Sequence, residues 1–324
     1  MNEHLIPTTV KNLNLDAVRP GTRHRFWVHI VSDGLGQPIK VPVMVARGLN
    51  PGPILGITAA VHGNELNGIP AVQRIFRDLN LEELAGTLVG VPVVNTPGYL
   101  LNQRRFNDDN DLNRIMPGSP TGNLSEVYAH RILKKIASHF EYLIDLHTAS
   151  FGRINSYYIR SDMNDPITAR MALLQNAEII VNNQGHDGTL RGAVADLGIH
   201  AITVEAGNPH TFQKGMIRSA ITGIENVMRE LKMIDSSIVT PDEIPVHCTH
   251  SYWLYTTAGG VLEVLPAITQ HVQANERVAI VRNVFGDLIR EYFAPEAGVV
   301  IGKSVNPIAQ TGARILHLGI EKKS

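Results

Sequence analysis

The chain has very little cysteine: Cys248 is the one thiol among 324 residues, so no disulfide can form within the chain. This predicts a structural thiol in a reducing compartment. The first residues, MNEHLIPTTVKNLNL, also have no basic segment followed by an apolar one, the pattern of a secretory signal. We therefore expect a cytoplasmic protein.

The chain also has no large excess of positive or negative charge. Lysine and arginine number 29 against 30 aspartates and glutamates, which gives a formal net charge of −1. Proteins that bind nucleic acids or anionic membranes usually carry a basic surface, so we expect neither partner. No apolar run approaches the roughly 18 residues that a membrane helix requires. The composition, 44% hydrophobic and 18% charged, is that of an ordinary globular protein.

The first two thirds of the chain alternate between strand-like and helix-like segments. Short apolar runs typical of buried strands cover Pro53–Val61, Thr87–Val94, Glu141–Leu146 and Ala201–Val204. Helical periodicity follows in residues 72–79, after a possible cap at Ser125, in 190–197 and in 217–231. This alternation predicts an α/β fold with a mixed, largely parallel sheet flanked by helices.

The pattern changes near residue 236. A linker-like stretch, Ser236–Pro245, precedes short β-type runs with frequent glycine and proline. We therefore predict an α/β domain over residues 1–236 and a smaller β-rich domain over residues 237–324. The apolar content of this C-terminal region is compatible with a homo-oligomer.

Three residues whose side chains could bind a metal or move a proton occupy equivalent places in the strand pattern. His62, His147 and Glu205 each follow the end of a predicted strand. Ligands of open α/β sheets bind at the carboxyl ends of the strands, so residues far apart in sequence can meet there. Taken singly, each has an ordinary structural interpretation, as a hydrogen-bonded histidine or a turn-forming glutamate. Their equivalent positions favour a shared site.

A zinc site is the chemistry that this pattern favours. His62 and Glu65 are three residues apart on a turn that Gly63 allows to be tight, although one H-x-x-E pattern is weak by itself. With His147 they form a His₂Glu set, which suits one Zn²⁺ per chain and leaves a fourth position for water. Zinc would activate that water and polarise a carbonyl. Glu205 is the natural carboxylate to move the proton.

A charged loop supplies the next candidates. Arg104–Arg114 reads RRFNDDNDLNR, and a solvated charge cluster is its ordinary interpretation. The functional interpretation is that one arginine binds a substrate carboxylate through two hydrogen bonds and another stabilises an oxyanion. Asp111 could accept a hydrogen bond from the second ring nitrogen of a metal-bound histidine.

In chain order, the motifs are HGNE at His62–Glu65, NTPG at Asn95–Gly98, DLNR at Asp111–Arg114, DLHTAS at Asp145–Ser150 and VEAG at Val204–Gly207. This ordered set resembles the succinylglutamate desuccinylase/aspartoacylase family, a branch of the zinc carboxypeptidase fold. The β-rich tail is similar to that of bacterial members that deacylate N-acyl amino acids, including N-acetyl-diaminobutyrate-type substrates.

The resemblance implies a role for each motif residue. It implies that His62, Glu65 and His147 are zinc ligands, that Asp111 orients the first of these histidines, and that Glu205 is the general base and acid. It also implies that Asn113 and Arg114 bind a substrate carboxylate. An arginine upstream of them would polarise the scissile carbonyl. Arg104 and Arg105 both compete for that last role, and we favour Arg105. Arg153 and Arg191 are either further substrate contacts or surface residues.

The function predicted from the sequence is zinc-dependent hydrolysis of the amide bond of an N-acyl amino acid or a related small carboxylate. A metallocarboxypeptidase acting on short peptides is the alternative within the enzyme class. A non-catalytic protein that binds zinc or a small molecule is the alternative from another class. The presence of Glu205 argues against that last alternative, because a binding protein needs no base there.

Overall fold

The computed structural model describes residues 6–150, 152–185, 187–240 and 244–321. The strands are β1 Thr8–Val10, β2 Thr22–Ser32, β3 Pro38–Arg47, β4 Asn50–Ala59, β5 Ala85–Val91, β6 Tyr142–His147, β7 Arg153–Asn155, β8 Tyr157–Ser161, β9 Ile179–Asn182, β10 His200–Ala206, β11 Val246–Tyr255, β12 Gly260–Val264, β13 His271–Val272, β14 Arg277–Arg282, β15 Leu288–Phe293, β16 Gly298–Ser304, β17 Ile308–Ala309 and β18 Arg314–Glu321.

The helices are α1 Gly68–Asp78, α2 Thr96–Leu100, α3 Leu124–Lys135, α4 Pro166–Leu173, α5 Leu190–Ala195 and α6 Lys214–Glu230, with short 3₁₀ turns at Leu112–Arg114 and Ala137–His139. None of the helices in the described ranges is both long and apolar enough to cross a bilayer.

One large mixed sheet runs through the molecule. Over the described ranges its strand order is β1-β2-β3-β5-β4-β6-β10-β8-β9-β11-β18-β16-β13, and β7 pairs with β16. The centre is parallel, because β4 pairs in parallel with both β5 and β6, and β6 pairs in parallel with β10. Helices cover both faces of this centre, so the predicted fold class, an α/β fold with a largely parallel sheet, is confirmed.

The apolar runs recognised in the sequence form the central strands because both of their faces are buried. In β6, Ile144 and Leu146 pack in the core layer that contains α1, α4 and α6, whereas Leu143 packs in the layer of α3 and α5. Side chains alternate along a strand, so Asp145 and His147 share a face with Leu143. The functional residues therefore project from the face that carries α3 and α5.

Helix α3 begins earlier than predicted. Asn123 is the N-cap and forms a reciprocal capping box with Glu126: Asn123 Oδ1 accepts the backbone N–H of Glu126, and Glu126 accepts that of Asn123. Ser125, which the sequence suggested as the cap, is buried in the first turn, where its hydroxyl donates to Asn123. The predicted cap at Ser125 is wrong, because the competing asparagine two residues earlier makes the complete box.

The C-terminal region is β-rich, as predicted, but its strands do not all form a separate sheet. Strand β11 pairs in parallel with β9 and antiparallel with β18, so the main sheet continues into this region. A second sheet has the order β15-β14-β12-β17. Residues 241–243 of the predicted linker lie outside the described residues, and the boundary between residues 236 and 237 stays a prediction.

The buried side chain of Asn226 in α6 fastens the segment that leads to the C-terminal region. Its amide nitrogen donates to the carbonyls of Leu174 and Val239, at 3.0 and 2.8 Å, and its oxygen accepts the N–H of Val239 at 2.8 Å. We expect Asn226→Ala to lower the free energy of unfolding by about 1–3 kcal/mol, because it leaves buried backbone groups unpaired.

Urea or thermal denaturation of the purified protein measures this change. Gln37→Ala is the control, since that side chain is exposed in the turn between β2 and β3. Equal stability of the two variants would contradict the role given to Asn226.

Candidate active site

The three predicted metal ligands meet at the carboxyl ends of β4 and β6. Nδ1 of His62 lies 2.8 Å from Oε1 of Glu65, and Nδ1 of His147 lies 2.9 Å from Oε2 of the same carboxylate. The two Nδ1 atoms are 3.2 Å apart. All three side chains are buried. The sequence-predicted ligand set is thus brought together within the described part of the chain, in a group that could hold a metal ion.

The turn that carries His62 and Glu65 needs glycine for a packing reason. A Cβ on Gly63 would lie 2.1 Å from the carbonyl carbon of Gly98, so the HGNE turn can approach the NTPG turn this closely only without a side chain. Asn67 then ties the turn to the end of β10, because its amide donates to the carbonyl of Ala206 at 2.8 Å. These contacts fix the loop relative to Glu205.

The second ring nitrogen of each histidine is held by a carboxylate. His62 Nε2 lies 3.0 Å from Asp111 Oδ1, and His147 Nε2 lies 2.8 Å from Asp145 Oδ2. Asp145 is itself oriented by the hydroxyl of Thr58, which donates to Oδ1 at 2.6 Å. A carboxylate accepts a hydrogen bond from a nitrogen that carries a proton, so these bonds place a proton on each Nε2 and turn each Nδ1 toward Glu65, where it can take up a proton or a metal ion.

The electrostatics of the cluster favour a cation. Burial alone would raise the pKa of Glu65, but the charge of His62 and hydrogen bonds from both imidazoles hold it well below its usual value. Burial likewise opposes a charge on His147, yet Asp145 and Glu65 raise its pKa well above the usual value. Two ring nitrogens and a carboxylate oxygen that converge in this way match the donor set of a catalytic zinc site.

Glu205 lies beside the ligands through strand register. It is paired with His147 across the parallel β10–β6 ladder. Its carboxylate accepts the side-chain N–H of Asn155 at 3.3 Å and lies 3.9 Å from Nε of Arg160. Burial raises the pKa of Glu205, and the attraction of Arg160 only partly opposes this. A carboxyl group with a raised pKa suits both the uptake and the release of a proton.

The structure separates the two adjacent arginines. Arg104 donates to Glu65 Oε1 at 2.9 Å and through Nη2 to Asp111 Oδ2 at 2.9 Å, and it also contacts Ser150. The Arg105 side chain is 55% exposed and forms an ion pair with Asp109 at 2.8 Å. Both arginines line a cavity that also contains the three candidate metal ligands, and of the two it is Arg104 that contacts one of them, Glu65.

Asn113 and Arg114 enter the cavity from the 3₁₀ turn. The side-chain oxygen of Asn113 accepts the N–H of Leu190 at 2.8 Å, which joins this turn to the start of α5. Arg114 is exposed and lines the same cavity as the metal ligands. Arg191 is buried and donates to the backbone carbonyl of Asn183 at 3.0 Å.

The cavity holds residues that sequence reasoning did not assign. Its volume is about 690 Å³, and the C-terminal region contributes part of its wall through Trp253, Arg314 and His317. These residues could not be found by sequence spacing, because they lie more than a hundred residues from the ligands. Asp145 could have been found, since it lies two residues before His147 and therefore shares its strand face.

Comparisons with known proteins found related sequences. The sequence model of the succinylglutamate desuccinylase/aspartoacylase catalytic domain matches residues 51–231. The N-alpha-acetyl-L-2,4-diaminobutyric acid deacetylase of Halomonas elongata is 23% identical over 304 residues, which cover 89% of each chain. The succinylglutamate desuccinylase of Pseudomonas paraeruginosa is 29% identical over 201 residues, 57% of this chain and 59% of that one.

Solved structures share the fold. A succinylglutamate desuccinylase/aspartoacylase of Rhodobacter sphaeroides has a TM-score of 0.85 at 21% identity and covers 96% of this chain and 98% of its own. The product-bound ectoine utilization protein EutE of Ruegeria pomeroyi has a TM-score of 0.84 at 20% identity, with 92% and 95% covered.

The hydrogen bond from His147 to Asp145 gives a prediction about metal affinity. In Asp145→Asn, the amide can donate to Nε2, which moves the imidazole proton to Nδ1, the atom that faces Glu65. We expect zinc affinity to fall by about 10- to 100-fold, as is typical when such a partner is lost. Competition with a zinc-binding dye measures the affinity.

Asp235→Asn is the matched control, because Asp235 is exposed and distant in sequence from every ligand. Unchanged zinc affinity in Asp145→Asn would show that Asp145 does not select the tautomer.

Proposed function

The chain belongs to the succinylglutamate desuccinylase/aspartoacylase family, and from this premise we propose that it hydrolyses the amide bond of an N-acyl amino acid in a zinc-dependent reaction. The single observation that carries the proposal is the convergence of His62, Glu65 and His147, with Glu205 in register beside them. The deacylase names of its relatives support the same class of reaction.

In the proposed reaction, the zinc cluster and Glu205 have separate roles. Zinc at the two Nδ1 atoms and the Glu65 carboxylate would act as a Lewis acid and activate water at neutral pH. Glu205 takes the proton of the attacking water and delivers it to the amide nitrogen as the carbon–nitrogen bond breaks. Both protons of the water pass to the nitrogen, so the products are a carboxylate from the acyl group and an ammonium group, and the protons balance.

Substrate binding is proposed for the 3₁₀ turn. Arg114, with Asn113 beside it, would bind the carboxylate of the amino acid, since a guanidinium pairs with a carboxylate through two parallel hydrogen bonds. Asp111 and Asp145 would keep the histidine rings oriented. For the carbonyl-polarising role, contact with Glu65 favours Arg104 over Arg105, the residue that sequence spacing favoured.

Glu205→Gln tests the mechanism. The amide cannot exchange a proton, so kcat should fall by about 10²- to 10⁴-fold, the usual contribution of a general acid–base group. The zinc content should stay at one per chain, because Glu205 is not a ligand. Turnover is measured on N-acetyl and N-succinyl amino acids, with short peptides assayed alongside.

Glu263→Gln, on the exposed face of β12, is the matched control and should retain full activity. Normal turnover by Glu205→Gln would overturn the mechanism. Cleavage of peptides in preference to all N-acyl amino acids would replace it with the carboxypeptidase alternative.

The two adjacent arginines give a second test. We expect Arg104→Gln to lower kcat by about 10²- to 10³-fold, as loss of an oxyanion-stabilising donor does. Arg105→Gln, which loses a more exposed ion pair, should change kcat little. Steady-state kinetics on one N-acyl amino acid compares the two variants. The reverse ranking would return the role to Arg105.

A further inference from the structure

Strand β7 joins the main sheet through the C-terminal region. Among the strands that the structure describes, it pairs only with β16, antiparallel, and Asn155 lies opposite Gly302 in this ladder. Directly after β7, the backbone N–H and the hydroxyl of Ser156 both donate to the carbonyl of Ile301, at 2.9 and 3.0 Å. The position of Asn155 therefore depends on β16.

The side chain of Asn155 contacts the carboxylate proposed to move the proton. Its Nδ2 donates to Oε2 of Glu205 at 3.3 Å, while Nε of Arg160 lies 3.9 Å from the other oxygen, Oε1. Asn155 is 6% exposed and borders the same cavity as Glu205. Each oxygen of the carboxylate thus has its own neighbour, one from β7 and one from β8. Together they restrict the rotation of a glutamate side chain that is otherwise flexible.

Strand pairing brings Asn155 to the end of β10, where Glu205 lies. Strand β8 follows β7 closely and pairs antiparallel with β10, with Tyr158 opposite Glu205. The backbone N–H of Asn155 also donates to the side-chain oxygen of Asn208, just beyond the end of β10, at 3.4 Å. Asn155 is therefore placed where the chain passes from β16 to β10, and it links the C-terminal region to the strand that carries Glu205.

Gly302 allows β16 to approach Asn155 this closely. A Cβ at this position would overlap with Oδ1 of Asn155 and would lie 2.8 Å from the backbone oxygen of Ile154. A side chain on residue 302 would therefore push Asn155 away from its present place. Gly302 is not part of the cavity wall that the described residues form. A change at Gly302 can thus affect Glu205 through Asn155 without a contact between residue 302 and the substrate.

We propose that Asn155 is a positioning residue, which β16 of the C-terminal region holds against Glu205 so that the carboxylate is oriented for proton transfer. The inference rests on the proposed function and deepens it, because it gives the C-terminal region a part in the reaction. Glu205 remains the group that moves the proton. A neutral amide orients this carboxylate without adding a further charge that would keep it ionised.

Asn155→Ala tests this role, because it removes the hydrogen bond to Glu205. We expect kcat on an N-acyl amino acid to fall by about 10- to 100-fold, since a misplacement of about 1 Å in the active site can have an effect of this size. KM should change little, because Asn155 acts on Glu205 rather than on the substrate. When Glu205→Gln is also present, Asn155→Ala should lower kcat no further, because the group that it positions is already lost.

Asn80→Ala is the matched control and should keep full activity. The exposed amide of Asn80 also donates to a glutamate, Glu83, at 2.8 Å, and neither residue borders the cavity. Asn155→Ser is measured alongside, because its shorter side chain cannot reach Glu205 and should give the same result as Asn155→Ala. Thermal midpoints show that each variant is folded.

Gly302→Ala tests the part played by β16. The added methyl group should displace Asn155 and lower kcat by about 10-fold, although residue 302 does not border the cavity. Combined with Asn155→Ala, it should add little to the loss, because the side chain through which it acts is gone. Gly34→Ala is the matched control, since a Cβ on Gly34 would meet open space in an exposed turn.

Crystal structures of the parent protein and of Asn155→Ala give a readout that requires no turnover. The carboxylate of Glu205 should move by about 1 Å or more while the backbone of β10 stays in place, because such a group keeps its geometry only when its neighbours hold it.

Three results would overturn the proposal: a Glu205 carboxylate that stays in place, a loss of kcat that is equal with and without Glu205→Gln, or a rise in KM with kcat unchanged. The last of these would assign Asn155 to substrate binding. If the parent hydrolyses no N-acyl amino acid and Asn155→Ala still displaces the carboxylate, the positioning role is supported and the proposed function is refuted. The two failures are therefore distinguishable.

Discussion

Two hydrogen bonds determine what the site can bind. Asp111 and Asp145 accept the Nε2–H groups of His62 and His147, so both imidazoles present their Nδ1 lone pairs to the same space. The carboxylate of Glu65 contacts both Nδ1 atoms in that space. Ring nitrogens and a carboxylate this close together require positive charge between them, either a proton or a metal ion. The orientations set by the two aspartates thus make this cluster a candidate cation site.

Pairing between the strands of the sheet positions the side chains of this site. His147 ends β6, Glu205 is in register beside it on β10, and Thr58 on β4 holds Asp145 from the other side. The two faces of these strands pack in different core layers, so a shift of one residue would exchange the side chains between layers that fit different neighbours. Core packing and the position of the Glu205 carboxylate are therefore fixed by the same pairing.

Much of the central sheet could be predicted because strands buried on both faces are continuous apolar runs. The metal cluster could be predicted because its members follow such runs. Strands β1 and β7–β9 are not predicted, since each has only three to five residues, too few to show a periodicity. The choice between Arg104 and Arg105 depends on the path of an irregular loop, which spacing does not encode.

The contribution of the C-terminal region to the cavity also cannot be predicted from local sequence patterns. Its strands continue the main sheet through β9 and β11, and this pairing brings Trp253 and Arg314 to a cavity whose metal ligands lie far away in sequence. Resemblance in the first two thirds of the chain describes the chemistry at the metal. The last third adds side chains to the wall of the cavity that contains the candidate metal ligands.

A crystal structure of the zinc-loaded protein with anomalous data at the zinc edge tests the central claim most directly. We predict one zinc ion per chain, about 2.0–2.1 Å from Nδ1 of His62 and of His147 and about 2.0–2.2 Å from a Glu65 oxygen, with both Nε2 atoms still bonded to Asp111 and Asp145. Zinc bound through Nε2, or absent from this cluster while present elsewhere, would contradict the account.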